Sequence, residues 1–426
     1  MPGASSGWIH ALGILGLALI FVVGTWRAIN LGALSLALAF LLGGLLMHEE
    51  LAAIWRGFPV DLLILLVGVT YLFGVATANG TVERLVSAAA HRVEHRRAWI
   101  PWIVFIVSSL PTMAGALGSA GAALIAPIAL RLAERCSLDR RMIGLMVLHG
   151  VACGNFSPLN PLGVIVVQGT ARAGLEMSAG ALFFANIAYN VLLGVVIFLY
   201  FGGLQLVREG AREQPTASQA VAPVVAPMAA LRIDQLCTVI ALLAITLAAL
   251  VFGLNIGVLA LAAAVVLQLL FPGTSAGGER KIAWDVVLLV CGIVTYVAVL
   301  QRYGTVDMIG GSIAALNAPL LGALLICAVG AVTSAFASSA GILGAMILLA
   351  APFMLQGGVG VTGFVIALSI SATVVDSSPF STAGALVVAN SAESERERVY
   401  RGLLVWAGVM VLTAPFVSWL LFVVIP

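Results

Sequence analysis

Apolar stretches close to the ~20 residues needed to cross a bilayer recur along the chain. They fall at 8–25, 29–47, 60–77, 182–203, 235–252, 254–272, 285–301 and 402–424. Two further stretches, 142–172 and 362–390, are equally apolar but are interrupted by polar residues, Gly and Pro. Two longer segments, about 98–135 and 314–355, have small, polar middles. Each reads as two crossings or as one re-entrant hairpin that enters and leaves on one side, and the distribution of basic residues selects the hairpins. The pattern predicts an all-α polytopic membrane protein of ten spans and two hairpins. No Lys or Arg precedes the first stretch and no clear small-residue cleavage site follows it, so it reads as a span and not a signal peptide.

Composition agrees. Hydrophobic residues make up 62% of the 426 and charged residues only 9%, with a mean hydropathy of +1.14; soluble domains run near 45–50% and about 25%. A net charge of +2 gives no reason to expect a nucleic-acid partner. The five Cys are scattered singly through apolar sequence and read as small core residues, not a disulfide frame or metal site. Charge also sets the topology. With ten alternating spans, Arg27, Arg84, Arg92, Arg96, Arg97, Arg131, Arg135, Arg140, Arg141, Arg208, Arg212, Arg232, Arg280, Lys281, Arg396, Arg398 and Arg401 collect on one side. Only Arg56, Arg172 and Arg302 fall on the other. By the positive-inside rule the rich side is cytoplasmic, both termini are outside, and the 204–233 linker is cytoplasmic. Residues 81–97 read as a basic amphipathic helix on the inner surface.

The chain repeats itself. Asp61, Gly68, Gly80, Thr81 and Val82 recur 224 positions later as Asp285, Gly292, Gly304, Thr305 and Val306. Ser157, Pro158 and Gly163 recur at 221 as Ser378, Pro379 and Gly384, with Asn155 falling on Asp376 and Thr112 on Thr333. Fixed-offset similarity marks a duplicated unit: a first repeat over 1–203 and a second over 234–426. Five spans per unit is an odd number, so the second unit must be inverted. The first hairpin then opens to the cytoplasm and the second to the outside. Inverted repeats with interrupted helices build many secondary transporters, with the site near the midplane.

The interruptions are where chemistry would sit. Asn155-Phe156-Ser157-Pro158-Leu159-Asn160-Pro161-Leu162-Gly163 cannot be continuous helix, because two prolines remove donors and clash with the preceding turn. Its counterpart is Asp376-Ser377-Ser378-Pro379-Phe380-Ser381-Thr382-Ala383-Gly384. Irregular backbone at membrane depth must line protein or water. Freed carbonyls with Asn, Ser and Asp oxygens suit a small hard cation, and the half-helix N-termini beyond each break suit an anion. The hairpin tips, 112–121 and 333–341, are small and hydroxyl-bearing and let backbone approach a ligand. The candidate cation ligands are Ser119, Asn155, Ser339, Asp376, Ser377 and Ser378. The candidate solute contacts are Ser119, Asn155, Ser157, Asn160, Ser338, Ser339, Ser378, Ser381 and Thr382. Asp376 is the strongest ionisable candidate at depth, as a cation ligand or proton carrier. His149 has no repeat partner, and its role stays open. Asp61 and Asp285 begin helices, where an acid suits the dipole, and the charged run 393–401 reads as a solvated loop.

Several strings resemble the MatC-type malonate/dicarboxylate carriers, within the wider ion-transporter superfamily that includes the divalent-anion:sodium symporters. They are DLLILLVGVTYLFGVATANGTVERL, PIAL and GLMVLHG before the first break, and, in the second half, Asp376 with the SSPFSTAGALVVAN that follows it. The resemblance implies an inner-membrane secondary carrier for a small dicarboxylate, driven by sodium or protons, often a homodimer, whose hairpin-bearing part moves like an elevator. It implies no cofactor beyond the coupling ion. The superfamily's symporters carry a Ser-Asn-Thr triplet at each hairpin tip. The nearest positions here are Leu117-Gly118-Ser119 and Ser338-Ser339-Ala340, so Ser119 and Ser338 carry over and the full triplets do not.

The leading expectation is therefore cation-coupled dicarboxylate symport. The alternative is a sodium/proton antiporter on the same architecture, with Asp376 alternating between the ions. An enzyme using His149 and Asp376 has no accompanying nucleophile or metal motif and no need of a duplicated break.

Overall fold

A computed structural model describes residues 6–26, 29–85, 97–210, 231–252, 254–314, 318–335 and 339–425. Among these the chain is helical, without strands. The first half runs α1 (Ser6–Trp26), α2 (Leu31–Phe40, continued by a π-helical turn to Leu46) and α3 (Val60–Ala78). Then come the hairpin limbs α4 (Ile100–Met113) and α5 (Gly118–Arg135), the half-helices α6 (Arg140–Cys153) and α7 (Pro161–Arg172), and α8 (Ala179–Tyr200). The second half repeats the order: α9 (Ile233–Phe252), α10 (Ile256–Leu270), α11 (Trp284–Arg302), limbs α12 (Pro319–Ser334) and α13 (Ser339–Leu349), half-helices α14 (Val361–Val374) and α15 (Thr382–Ala389), and α16 (Glu393–Trp419). Helix is observed at 81–85 where the surface helix is expected; 86–96 lie outside the described residues.

Five of these helical stretches are long and apolar enough to cross a membrane, and shorter apolar helices accompany them. Leu412 is 79% exposed and Leu269 75%. Side chains of that kind, so widely exposed on helix after helix, call for lipid rather than water around them.

The two halves are interlocked through matched glycines. α3 packs on α10, and α11 packs on α2. A Cβ added to Gly68 would stand 2.2 Å from the Gly257 carbonyl oxygen, and one added to Gly292 would stand 2.1 Å from that of Gly32. Only a residue without a side chain allows backbones to cross so closely. Both crossings use residues related by the repeat, so the duplication seen in sequence is a duplication of contacts.

Polar contacts show that the matched helices α3 and α11 run in opposite directions. α3 starts beside Arg172, which pairs with Asp61, and ends at Asn79, whose carbonyl accepts from Arg232 Nη2 at 2.9 Å. α11 runs the other way, from Ala283, whose N–H donates to Thr70, to Arg302, which pairs with Glu49 at 2.8 Å. One end of the bundle is rich in arginine: Arg97 donates to the Cys136 carbonyl, Arg140 pairs with Glu134 and Glu395, and Arg398 pairs with Asp139. The first hairpin opens at this end. The second opens at the arginine-poor end, where Trp419 Nε1 donates to the Leu320 carbonyl at 2.7 Å.

The halves nevertheless have unlike neighbours. α3 packs on half-helix α7, and α11 packs on hairpin limb α13. The symmetry-related packings, α3 on α5 and α11 on α15, are not made to a comparable extent. Instead α5 and α15 pack on each other toward the arginine-rich end, as α7 and α13 do toward the opposite end.

Candidate functional site

Both breaks fold in the same way. The Asn160 N–H donates to the Ser157 carbonyl at 2.9 Å, and the Ser381 N–H donates to that of Ser378 at 3.1 Å. Each half-helix that follows is capped by a side-chain oxygen, Asn160 Oδ1 for α7 and Ser381 Oγ for α15. A Cβ on Gly163 would fall 2.6 Å from the Ser157 carbonyl oxygen, and one on Gly384 2.0 Å from that of Ser378. The paired glycines are therefore required by the fold-back itself. The first break also carries a left-handed non-glycine residue, Phe156 at φ 64°, the kind of local strain that a surrounding structure must hold in place.

The first break is stapled to its own hairpin. Ser157 Oγ donates to the Met113 carbonyl at 2.9 Å, Asn160 Nδ2 donates to Thr112 and Ala116 carbonyls, and Thr112 Oγ1 donates to the Val151 carbonyl. Two candidates for solute contact, Ser157 and Asn160, thus spend their hydrogen bonds on backbone that the break left without partners. Asn155 differs: it is buried, and its Oδ1 has no partner among the described residues. A buried oxygen left unpaired costs about 1–3 kcal/mol and is available to a ligand. Ser119, at the start of α5, is half-buried and carries no side-chain hydrogen bond among the described residues.

The second break meets its hairpin through a carboxylate. Ser334 Oγ donates to Ser339 Oγ at 3.0 Å, and Ser339 Oγ donates to Asp376 Oδ2 at 2.5 Å. No basic side chain pairs with Asp376 among the described residues. Ser381 Oγ donates to the Asp376 and Ser378 carbonyls, Ser377 Oγ to Val374, and Ser378 Oγ accepts from the Phe380 N–H. Thr382 is exposed at the first turn of α15. Ser338 lies outside the described residues. The turn Val375–Ser377 touches α6, so the second break lies against the helix that leads into the first.

His149 is fully buried, with Nδ1 3.1 Å from Asn190 Oδ1 and Nε2 accepting from Trp406 Nε1 at 2.9 Å. Both ring nitrogens are engaged, and neither partner is Asp376. Asn190 donates to Asn186, whose amide donates to the Ala152, Cys153 and Asn155 carbonyls. This chain satisfies the carbonyls freed at the end of α6. Sequence reasoning missed Asn186 and Asn190; two asparagines four apart inside an apolar span are the signal that could have found them.

Residues 8–155 match the family model described as the dicarboxylate carrier protein MatC N-terminus, which bears out the resemblance over that part of the chain. No curated protein matches the chain in sequence. Among solved structures it is similar to the YdaH transporter of Alcanivorax borkumensis, described as having an unusual topology. The TM-score is 0.58 at 15% identity over 86% of each chain, so the likeness in fold runs well beyond the family match.

Proposed function

We propose that this membrane transporter, matched over residues 8–155 to the N-terminus of the MatC dicarboxylate carriers, is a symporter that moves a small dicarboxylate with a coupling cation. The observation that carries the reading is Asp376: a carboxylate in an unwound stretch at membrane depth, bonded to a hydroxyl of the hairpin tip and unpaired with any basic side chain described. A half-buried acid at membrane depth without a counter-charge calls for a cation or a proton. Asp376, Ser339, Ser377 or Ser378 and the unpartnered Asn155 Oδ1 form the cation side of the site, and Ser119 with the two half-helix N-termini forms the anion side. The resemblance to the MatC carriers implies the inner membrane, and the 17-to-3 distribution of basic residues supports a cytoplasmic arginine-rich end.

The test is uptake of labelled malonate or succinate into proteoliposomes under a sodium or a proton gradient. Gradient-driven accumulation, abolished by Asp376→Asn, is expected. No accumulation of any dicarboxylate under either gradient overturns the proposal. Cation-dependent proton movement without organic solute would establish the antiporter instead, because Asp376 alone supplies a titratable cation site.

A further inference from the structure

Beside the second break, on the arginine-rich side, lies an open surface groove of about 380 Å³ lined by Pro379, Ala385, Val388, Ala389, Arg396 and Tyr400. Its volume falls within the few hundred Å³ of small-molecule sites. Pro379 directly follows Ser378, and Phe380 meets Tyr400 edge to face with ring centroids 6.4 Å apart. The groove is thus walled on one side by the break and α15, and on the other by the first turns of α16. Those turns belong to the charged run 393–401, where the other arginines are committed: Arg398 pairs with Asp139 and Glu395, and Arg401 pairs with Glu397. Arg396 is exposed and pairs with no acid among the described residues. The remaining lining is apolar apart from the Tyr400 hydroxyl.

An unpaired guanidinium over an apolar recess is a receptor for a carboxylate. Its planar fork holds two carboxylate oxygens at once. We infer that this groove is a docking site for the transported anion on the arginine-rich face, with Arg396 holding one carboxylate and Tyr400 beside it before the solute passes to the break. The inference rests on the dicarboxylate reading and deepens it. That reading leaves the substrate only hydroxyls, N–H groups and a cation at the break, and Arg396 supplies the fixed positive charge that the broken segments lack.

The test uses the full-length chain in vesicles with the arginine-rich face outward. Val388→Cys places a thiol in the groove wall, and its rates with a sulfonated (anionic) and a trimethylammonium (cationic) methanethiosulfonate are compared after subtracting labelling of the parent. The expected anionic-to-cationic rate ratio falls about fivefold in Arg396→Gln and is retained in Arg396→Lys, an electrostatic effect that salt suppresses. Succinate slows labelling of Val388→Cys alone and not of its combination with Arg396→Gln. In transport, Arg396→Gln raises KM about fivefold or more from this face and leaves KM from the opposite face within twofold. That second value shows the variant to be folded. An unreactive thiol at position 388, or a ratio indifferent to Arg396, overturns the site. So does absence of succinate protection in a protein that takes up succinate. Neither protection nor uptake, with the charge-dependent ratio intact, leaves the anion site standing and overturns the dicarboxylate reading instead.

Discussion

At the scale of single residues, the two breaks put equivalent positions to unequal use. Asn155 and Asp376 are related by the repeat, yet one presents a neutral amide oxygen without a partner and the other a carboxylate held by Ser339. Ser339→Ala removes that hydroxyl, so the coupling cation needed for half-maximal transport should rise about tenfold, the effect of losing ~1.4 kcal/mol of ligand interaction. Sodium or proton activation curves on purified protein check this. Asn186→Leu acts differently. It strips hydrogen bonds from the carbonyls that end α6, at roughly 1–3 kcal/mol for a buried group left unpaired, so the thermal midpoint of the detergent-solubilised protein should fall by several degrees. Asp376 was legible in the sequence because a carboxylate in an apolar stretch stands out. Asn186 was not, because an amide scarcely lowers the hydropathy of the span around it. Arg396 was concealed for the opposite reason: charge surrounds it in sequence, and only the fold shows that Arg398 and Arg401 are committed to acids.

Among elements, the backbone crossings α3–α10 and α11–α2 set how tightly the halves engage. Gly68→Leu and Gly292→Leu would each force a side chain into backbone at about the same distance. Both should therefore cut folded yield sharply and to a similar degree, beyond the ~1–3 kcal/mol usual for an overfilled core. Monodisperse yield after extraction measures it, and strongly unequal yields would argue against equivalent crossings. The breaks were legible from proline and most apolar helices from their length, but the charged run 393–401, read as a solvated loop, forms the first turns of α16. Which helix of one half packs on which helix of the other was not legible. Hydropathy marks a surface as buried without naming what buries it, and these helices are apolar nearly all round.

For the molecule as a whole, ion pairs at the arginine-rich end tie the halves together. Asp139 caps α6 and also binds Arg398 of α16. Burial alone would push its carboxyl up, but the Arg141 side chain and amide and the charge of Arg398 outweigh this and hold it below its usual range. A lowered folded value adds stability above the unfolded value, near 3.9, and that stability is lost as pH falls through the folded value. The thermal midpoint should accordingly drop between pH 5 and pH 3, and Asp139→Asn should drop less over that interval.

The unlike neighbours of the two halves have a larger consequence. Nearly the same structure occurs twice, once with α3 resting on a half-helix and once with α11 resting on a hairpin limb. Were the halves to trade those surroundings, a second pose built from the same kinds of contact would result, and its entry would lie on the other face of the membrane.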